Sequence, residues 1–213
     1  MRVIQVWCVA AVITILVVAV CVVFVDKPIA SLSYRVIGHL IIVQEFAGTP
    51  SFFGPLEIVI LAIFLLRRIT LYQLAHADAV LVLCEASLLA TKLSVSQMKY
   101  AFGRTWPLHG HPSFLIDGAY GFNFFTSGRQ FEAFPSGHTA SICALASVLW
   151  MTYPRFRPLY AAGAAGMAIA LVAGDFHFLS HVLAGGFLGI SIALLAFAAW
   201  RFGKRKQIFS AAH

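Results

Sequence analysis

Charge is scarce in this chain. Its 213 residues carry 15 Lys and Arg and only 8 Asp and Glu, 11% in all. Soluble domains usually hold about 25%, so an ordinary water-exposed globule is excluded, and so is a disordered polymer, which needs the reverse balance of charged and apolar residues. The four cysteines form no CxxC pair and no Cys/His cluster. Each lies in an apolar run and reads as a small buried hydrophobe, which excludes a disulfide frame. Repeats, low-complexity tracts and linkers are missing too, so residues 1–213 form one domain. The formal charge of +7 is not gathered into a stripe, which argues against a nucleic-acid partner.

Apolar residues fill the space: 61% of the chain, with a mean hydropathy of +0.88. Six stretches predict membrane helices: Val3–Val25, Phe52–Leu66, Ala79–Met98, Thr139–Tyr153, Leu159–Ala173 and Val182–Trp200. The first is longer than a signal-peptide core and no A-x-A site follows it, so it reads as an uncleaved span. Several others fall short of the roughly 20 residues a crossing needs and must extend into their flanks. Basic residues sort the ends. With the N-terminus in the cytoplasm, Arg2, Arg67, Arg68, Arg155, Arg157, Arg201, Lys204, Arg205 and Lys206 all fall on the inner side beside helix ends, as the positive-inside rule requires. The expected architecture is an all-α, polytopic bundle of six transmembrane helices in the inner (plasma) membrane, with both termini cytoplasmic. Trp7, Trp150 and Trp200 lie near span ends, as interfacial anchors do.

Two outer segments remain. Asp26–Pro50 is too polar to span, and its apolar Val36–Val43 stretch around His39 predicts an interfacial helix. Lys99–Pro135 is punctuated by glycine and proline and predicts an ordered loop of functional length.

The unusual residues concentrate on this outer side. Lys99 and Arg104 end the third span; Arg129 and then Ser136-Gly137-His138 open the fourth; Asp175, His177 and His181 lie between the fifth and sixth. Cations beside a helix N-terminus bearing Ser and Gly amides make an anion site. Histidines next to it serve as nucleophile or general acid. The pattern points to chemistry on a phosphorylated molecule at the outer leaflet.

Lys99-Tyr-Ala-Phe-Gly-Arg104-Thr-Trp106-Pro107, Phe134-Pro-Ser-Gly-His138-Thr and His177-Phe-Leu-Ser-His181 together resemble the type 2 phosphatidic acid phosphatase superfamily. The family pattern is Lys-x6-Arg-Pro, Pro-Ser-Gly-His and Ser-Arg-x5-His-x3-Asp. The resemblance implies a membrane lipid phosphatase with His177 as nucleophile, passing through a phosphohistidine, and His138 as general acid. Lys99, Ser136 and the Gly137 amide would hold the phosphate. No metal or other cofactor is implied, since fixed cations and amides stabilise the transferred charge. Implied substrates are lipid phosphomonoesters or diphosphates: phosphatidic acid, phosphatidylglycerophosphate, undecaprenyl diphosphate or lipid A. A phosphotransferase would use the same residues.

Three positions depart from that pattern. Trp106 and Leu171 stand where the family has Arg, and His181 stands where it has Asp. Arg104 and Arg129 are the nearest replacement cations in sequence, and Asp175 or Asp117 the nearest replacement carboxylates. His181 is itself a supporting residue in this reading. A weakened member that binds lipid phosphate without turnover is the alternative, and a transporter resting on Glu85 and Lys92 within a span is a more distant one. His177 and His181, four apart, also have metal-ligand spacing, but no His-Glu-x-x-His pattern accompanies them. Gly185 and Gly189 form a small-xxx-small face for close helix packing.

Overall fold

The computed structural model describes residues 2–37 and 76–210, with Ile58, Ala62 and Leu66 in addition. Among the described residues the regular elements are helices, with isolated β-bridges in the outer loop. Helix α1 (Arg2–Val20) passes through a π-helical turn (Cys21–Val25) straight into α2 (Asp26–Val36). Ile4–Val36 is thus one rod, long and apolar enough to cross a membrane. The helix therefore continues without a break past Val25, where the sequence expects the span to end, while the expected interfacial stretch lies almost wholly outside the described residues. The helix continues because Asp26 is not released to water: it is buried and bonded to Arg104 and Ser180. Two turns later, the Ser33 hydroxyl donates to the carbonyls of Val172 and Ala173. Most of Val36–Val43 and of the expected Phe52–Leu66 span lies outside the described residues; Ile58, Ala62 and Leu66 are helical and exposed.

Four further helices follow: α3 (His76–Phe102), α4 (Gly137–Thr152), α5 (Arg157–Ala173) and α6 (Leu179–Ser210). Five of the six expected spans therefore coincide with described helices, each extended into its flanks as their short apolar runs require. The protein is an all-α, polytopic membrane protein. Its centre is α4, the shortest of these four at 16 residues or about 24 Å, which packs against α6 above all, then α3 and α5.

Close packing of α4 on α6 depends on glycine. A Cβ on Gly185 would lie 2.3 Å from the Ser136 carbonyl oxygen, and one on Gly189 would lie 2.0 Å from that of Ala140. The small-xxx-small face is a backbone-to-backbone contact, and it brings the Ser136 N–H within 3.0 Å of the His181 carbonyl. Below it, Val80, Leu83 and Cys84 of α3 meet Val148 of α4 and Ala193 of α6. A second cluster joins Met167 and Leu171 of α5 to Val182 of α6.

The outward face is apolar. Ile4, Ile13, Leu16 and Phe24 on the first rod, and Leu89 and Leu93 on α3, are exposed. In water this would be an association hazard; in a bilayer it faces acyl chains. Cys8 lies on that surface, correcting the expectation that all four cysteines are buried; Cys21 and Cys84 are buried, Cys143 half-buried, and all four are free.

Candidate active site

The C-terminal end of α3 and the N-terminal ends of α4 and α6 bring together the residues that the sequence separates. His177 is buried on the turn that leads into α6, its N–H donating to the Leu171 carbonyl over 3.0 Å. The Trp106 ring lies 5.0 Å from the His177 ring, His181 5.6 Å and His138 6.2 Å. Lys99 Nζ stands 5.9 Å from the Trp106 ring centroid, and Glu132 is the carboxylate acting on it. His138 and Lys99 are half-buried, so the cluster is reached from the side where they sit.

His177 is held neutral. Its pKa lies well below the usual histidine value, because burial penalises the imidazolium and the His138 and Lys99 charges add to the penalty. Its Nδ1 lies 3.4 Å from His181 Nδ1, a long contact that orients one ring against the other. Buried polar atoms are normally paired, but the Nδ1 of His138 and the Nε2 of His181 are buried without a hydrogen-bond partner among the described residues.

Ser136 caps α4. Its hydroxyl accepts from the Thr139 N–H at 3.3 Å and the Thr139 hydroxyl at 3.1 Å, as a Ser at N-cap does. Gly137 follows as the first helical residue.

Arg104 is placed otherwise than the sequence expectation of a phosphate-binding cation. Fully buried, it directs Nη2 to Asp26 Oδ2 at 2.9 Å and Nη1 to Ser180 Oγ at 2.6 Å. Tyr120, Phe122 and Phe178 present their rings within 5.0 Å of its guanidinium carbon. Asp26 accepts in addition from the Ser180 N–H, the Ser180 hydroxyl and the Tyr120 hydroxyl. The guanidinium is thus neutralised by a carboxylate, and its charge is committed to the fold. Asp26 is the residue that sequence reasoning missed; a lone acid at the end of an apolar run, with a basic partner 78 positions away, was the available signal.

Arg129 is exposed on a 3₁₀ turn (Arg129–Phe131), where its carbonyl accepts the Trp106 indole N–H at 2.8 Å. Among the described residues its guanidinium has no ion-pair partner, so it stands at the rim, tied by its backbone to the site. Neither replacement carboxylate reaches His177. Asp117 is bonded to the Ser113 N–H and to His111. Asp175 is buried with neither oxygen partnered among the described residues and a backbone φ of 54°. Burial alone raises its carboxyl to about 7, with no neighbouring charge contributing. His109 stacks on Phe176 and faces the Gly174 carbonyl.

The three departures have distinct physical consequences. Trp106 supplies an aromatic wall in place of a guanidinium. Leu171 packs into the α5–α6 cluster and contributes only its carbonyl to holding the His177 backbone. His181 occupies the place of an orienting carboxylate with an imidazole.

Comparison with known proteins matches the chain to the PAP2 superfamily over residues 78–205. Two curated relatives, the lipid A 1-phosphatases of Rhizobium johnstonii and Rhizobium etli, are each 32% identical over 108 residues, or 51% of this chain. The aligned region spans only 39% and 41% of those relatives' lengths. The crystal structure of Aquifex aeolicus LpxE superposes with a TM-score of 0.56 at 14% identity, covering 81% of this chain and 94% of that one. That of a transmembrane PAP2-type phosphatidylglycerolphosphate phosphatase from Bacillus subtilis gives 0.54 at 17% identity, covering 89% and 95%. At such identities these two likenesses concern the fold alone. Three ordered motifs meeting at one end of a helical membrane bundle, and a match over more than half the chain, agree: this chain belongs to the PAP2 superfamily.

Proposed function

We propose that the chain is a metal-independent membrane phosphatase that removes phosphate from a lipid phosphomonoester or diphosphate, with a lipid A-type glycolipid phosphate as the first candidate substrate. The observation that carries the reading is His177, held neutral and buried between His138, Trp106 and His181, with the Lys99 cation at the mouth. The named activity of the Rhizobium relatives supports the choice of substrate class.

In the proposed cycle, Nε2 of neutral His177 attacks phosphorus. The bond from phosphorus to the lipid oxygen breaks, and His138 gives that oxygen its proton. Water then attacks the phosphohistidine; His138 takes a proton from it as the P–N bond breaks, returning His177 and releasing phosphate. Lys99 balances the phosphoryl oxygens, with the Ser136 and Gly137 end of α4 facing the same anion. For Nε2 to attack, His177 must carry its proton on Nδ1 and donate it to His181 Nδ1. His181 then holds its own proton on the orphaned Nε2. His181 is thus a neutral positioning partner, and Arg104, paired to Asp26, positions the start of α6 instead of binding phosphate. Arg129 is the remaining candidate for a rim cation.

Both termini are assigned to the cytoplasm and the site to the periplasmic or exterior face of the inner membrane. The clustering of nine basic residues at the opposite helix ends supports this.

Phosphate release from a panel of lipid phosphates in detergent, with and without chelator, tests the proposal. Wild type should release phosphate in both conditions, and His177→Ala and His138→Ala should not. Equal release by wild type and both variants would refute it; release abolished by the chelator would refute metal independence. A second reading, phosphate binding with weak turnover, is favoured by one observation: no carboxylate among the described residues accompanies His177. Saturable binding of the lipid without release would favour that reading, and label appearing on an added acceptor lipid would mark a phosphotransferase.

A further inference from the structure

The outer loop carries an aromatic edge that the catalytic reading leaves unused. Phe124 is 58% exposed and Phe125 70% exposed, in a segment whose backbone is fixed. The Asn123 N–H donates to the Gly103 carbonyl at 2.8 Å and the Phe125 N–H to the Ala101 carbonyl at 3.3 Å, so both use carbonyls at the end of α3. Gly103 has a φ of +49°, and a Cβ there would lie 1.9 Å from the Asn123 carbonyl oxygen, so the two strands of chain touch directly. Phe125 itself is held at φ 57°, a left-handed conformation that is unfavourable for an L-residue. The chain accepts that cost while its ring stays outside the core.

Depth decides what this edge meets. The Phe125 ring packs edge-on to Tyr100 at 6.1 Å, and Phe124 lies 6.2 Å from Phe102. Tyr100 and Phe102 belong to the last turn of a helix apolar enough to cross the membrane up to Phe102 itself. Rings fixed to the final turn of a spanning helix lie at the level where hydrocarbon gives way to headgroups, which is where aromatic side chains partition.

We propose that Phe124 and Phe125 form a wedge inserted into the outer-leaflet boundary, with bilayer lipid as its partner. Behind the wedge the aromatic contacts continue inward: Phe102 meets Phe134 at 5.3 Å, and Phe134 meets the His181 ring at 5.6 Å. The wedge therefore sets the depth of the histidine cluster relative to the lipid phosphates. This assignment depends on the membrane-embedded fold and not on any turnover by the site.

The test uses Phe125→Trp in the full chain, reconstituted in vesicles of phosphatidylcholine brominated either just below the ester or near the acyl terminus. Fluorescence is taken as the difference from the parent, which carries four tryptophans. The added indole should emit at shorter wavelength than an indole in water. Lipid brominated near the ester should quench it more than lipid brominated near the terminus, and aqueous iodide should leave it largely unquenched. Phe124→Trp, made separately, should give the same order and covers the case in which position 125 does not accept the larger ring. Quenching of both variants by iodide with none from either lipid would overturn the proposal. So would protection from iodide and lipid alike, accompanied by a dimer on cross-linking, since the wedge would then be covered by a second copy.

Discussion

Two polar clusters meet at the first turn of α6, one residue apart, and they are built on opposite terms. Ser180 belongs to the first, in which the Asp26 carboxylate accepts from Arg104, Ser180 and Tyr120 while three aromatic rings enclose the guanidinium. His181 belongs to the second, where imidazoles meet at 3.4 Å, nitrogens of His138 and His181 go unpartnered among the described residues, and the nearby cations are Lys99 and, beside His181, Arg104 itself. Buried ion pairs hold only when their remaining donors and acceptors are met, and the first cluster comes close to that. Unmet groups cost about 1–3 kcal/mol each, and the second cluster tolerates them. The contrast supports a division of labour: Arg104, the charge that first suggests a phosphate ligand, is paired to Asp26 with only its Nε left over among the described residues, while the proposed catalytic cluster has no carboxylate paired to its imidazoles.

Substitutions break this contrast in graded steps. The largest effect is expected at the unpaired cluster: His177→Ala should lower phosphate release by about 10³-fold or more, as loss of a nucleophile does, while the melting temperature in detergent stays within a few degrees of wild type. Arg104→Ala should do the reverse. Leaving Asp26 buried without its cation should cost about 3–5 kcal/mol, measured as a collapse of thermal stability, and Asp26→Ala should give the mirror-image loss. If Arg104→Ala kept its stability and lost only lipid-phosphate affinity, the division between the clusters would be wrong.

A substitution at the junction sharpens the comparison. His181→Asp installs a carboxylate beside His177, and activity should rise by about tenfold or more, since the carboxylate of an Asp–His pair is worth up to about 10⁴-fold elsewhere. A fall would show that the neutral imidazole is tuned to its place. The pH profile carries the same information for His177. Its pKa is depressed, so the nucleophile stays neutral down through the ordinary histidine range, and the acid limb of kcat/KM should lie below pH 6.5. A limb at or above that value would mean that His177 titrates as an exposed imidazole.

The smallest effect concerns Asp175. Burial raises its carboxyl to about 7, above the roughly 3.9 of an unfolded aspartate. An acid shifted in that direction destabilises the fold increasingly as pH rises between the two values, and the penalty is complete above about 7. Asp175→Asn should therefore leave the melting temperature unchanged near pH 4 and raise it above pH 7. A pH-independent difference would place another group in control.

The histidine cluster was legible in the sequence, and the buried ion pair was not. Lys99, His138 and His177 are recognised by spacing and by falling at one membrane face, and Gly185 and Gly189 by their four-residue interval. Periodicity and composition report what a helix presents, not which neighbour receives it. Asp26 stands out as a lone acid at the end of an apolar run, but its partner Arg104 is 78 positions away and is brought close only by folding. The same limit applies to Phe124 and Phe125, where composition gives two aromatic residues in a glycine-rich loop and the backbone bonds to the end of α3 give them a depth. Arg104 also shows how proximity in sequence misleads: two residues from Trp106, its side chain turns to the other cluster.

The central claim, that His177 is the group that takes the phosphoryl, is tested most directly by trapping the intermediate. Purified protein is mixed briefly with a lipid labelled in its terminal phosphate and quenched in alkali, and protein-bound label is counted. Label stable to alkali, lost in acid, and absent from His177→Ala is the result this account predicts. Label that persists in His177→Ala, or steady turnover by wild type with no protein-bound label at any time, would contradict it.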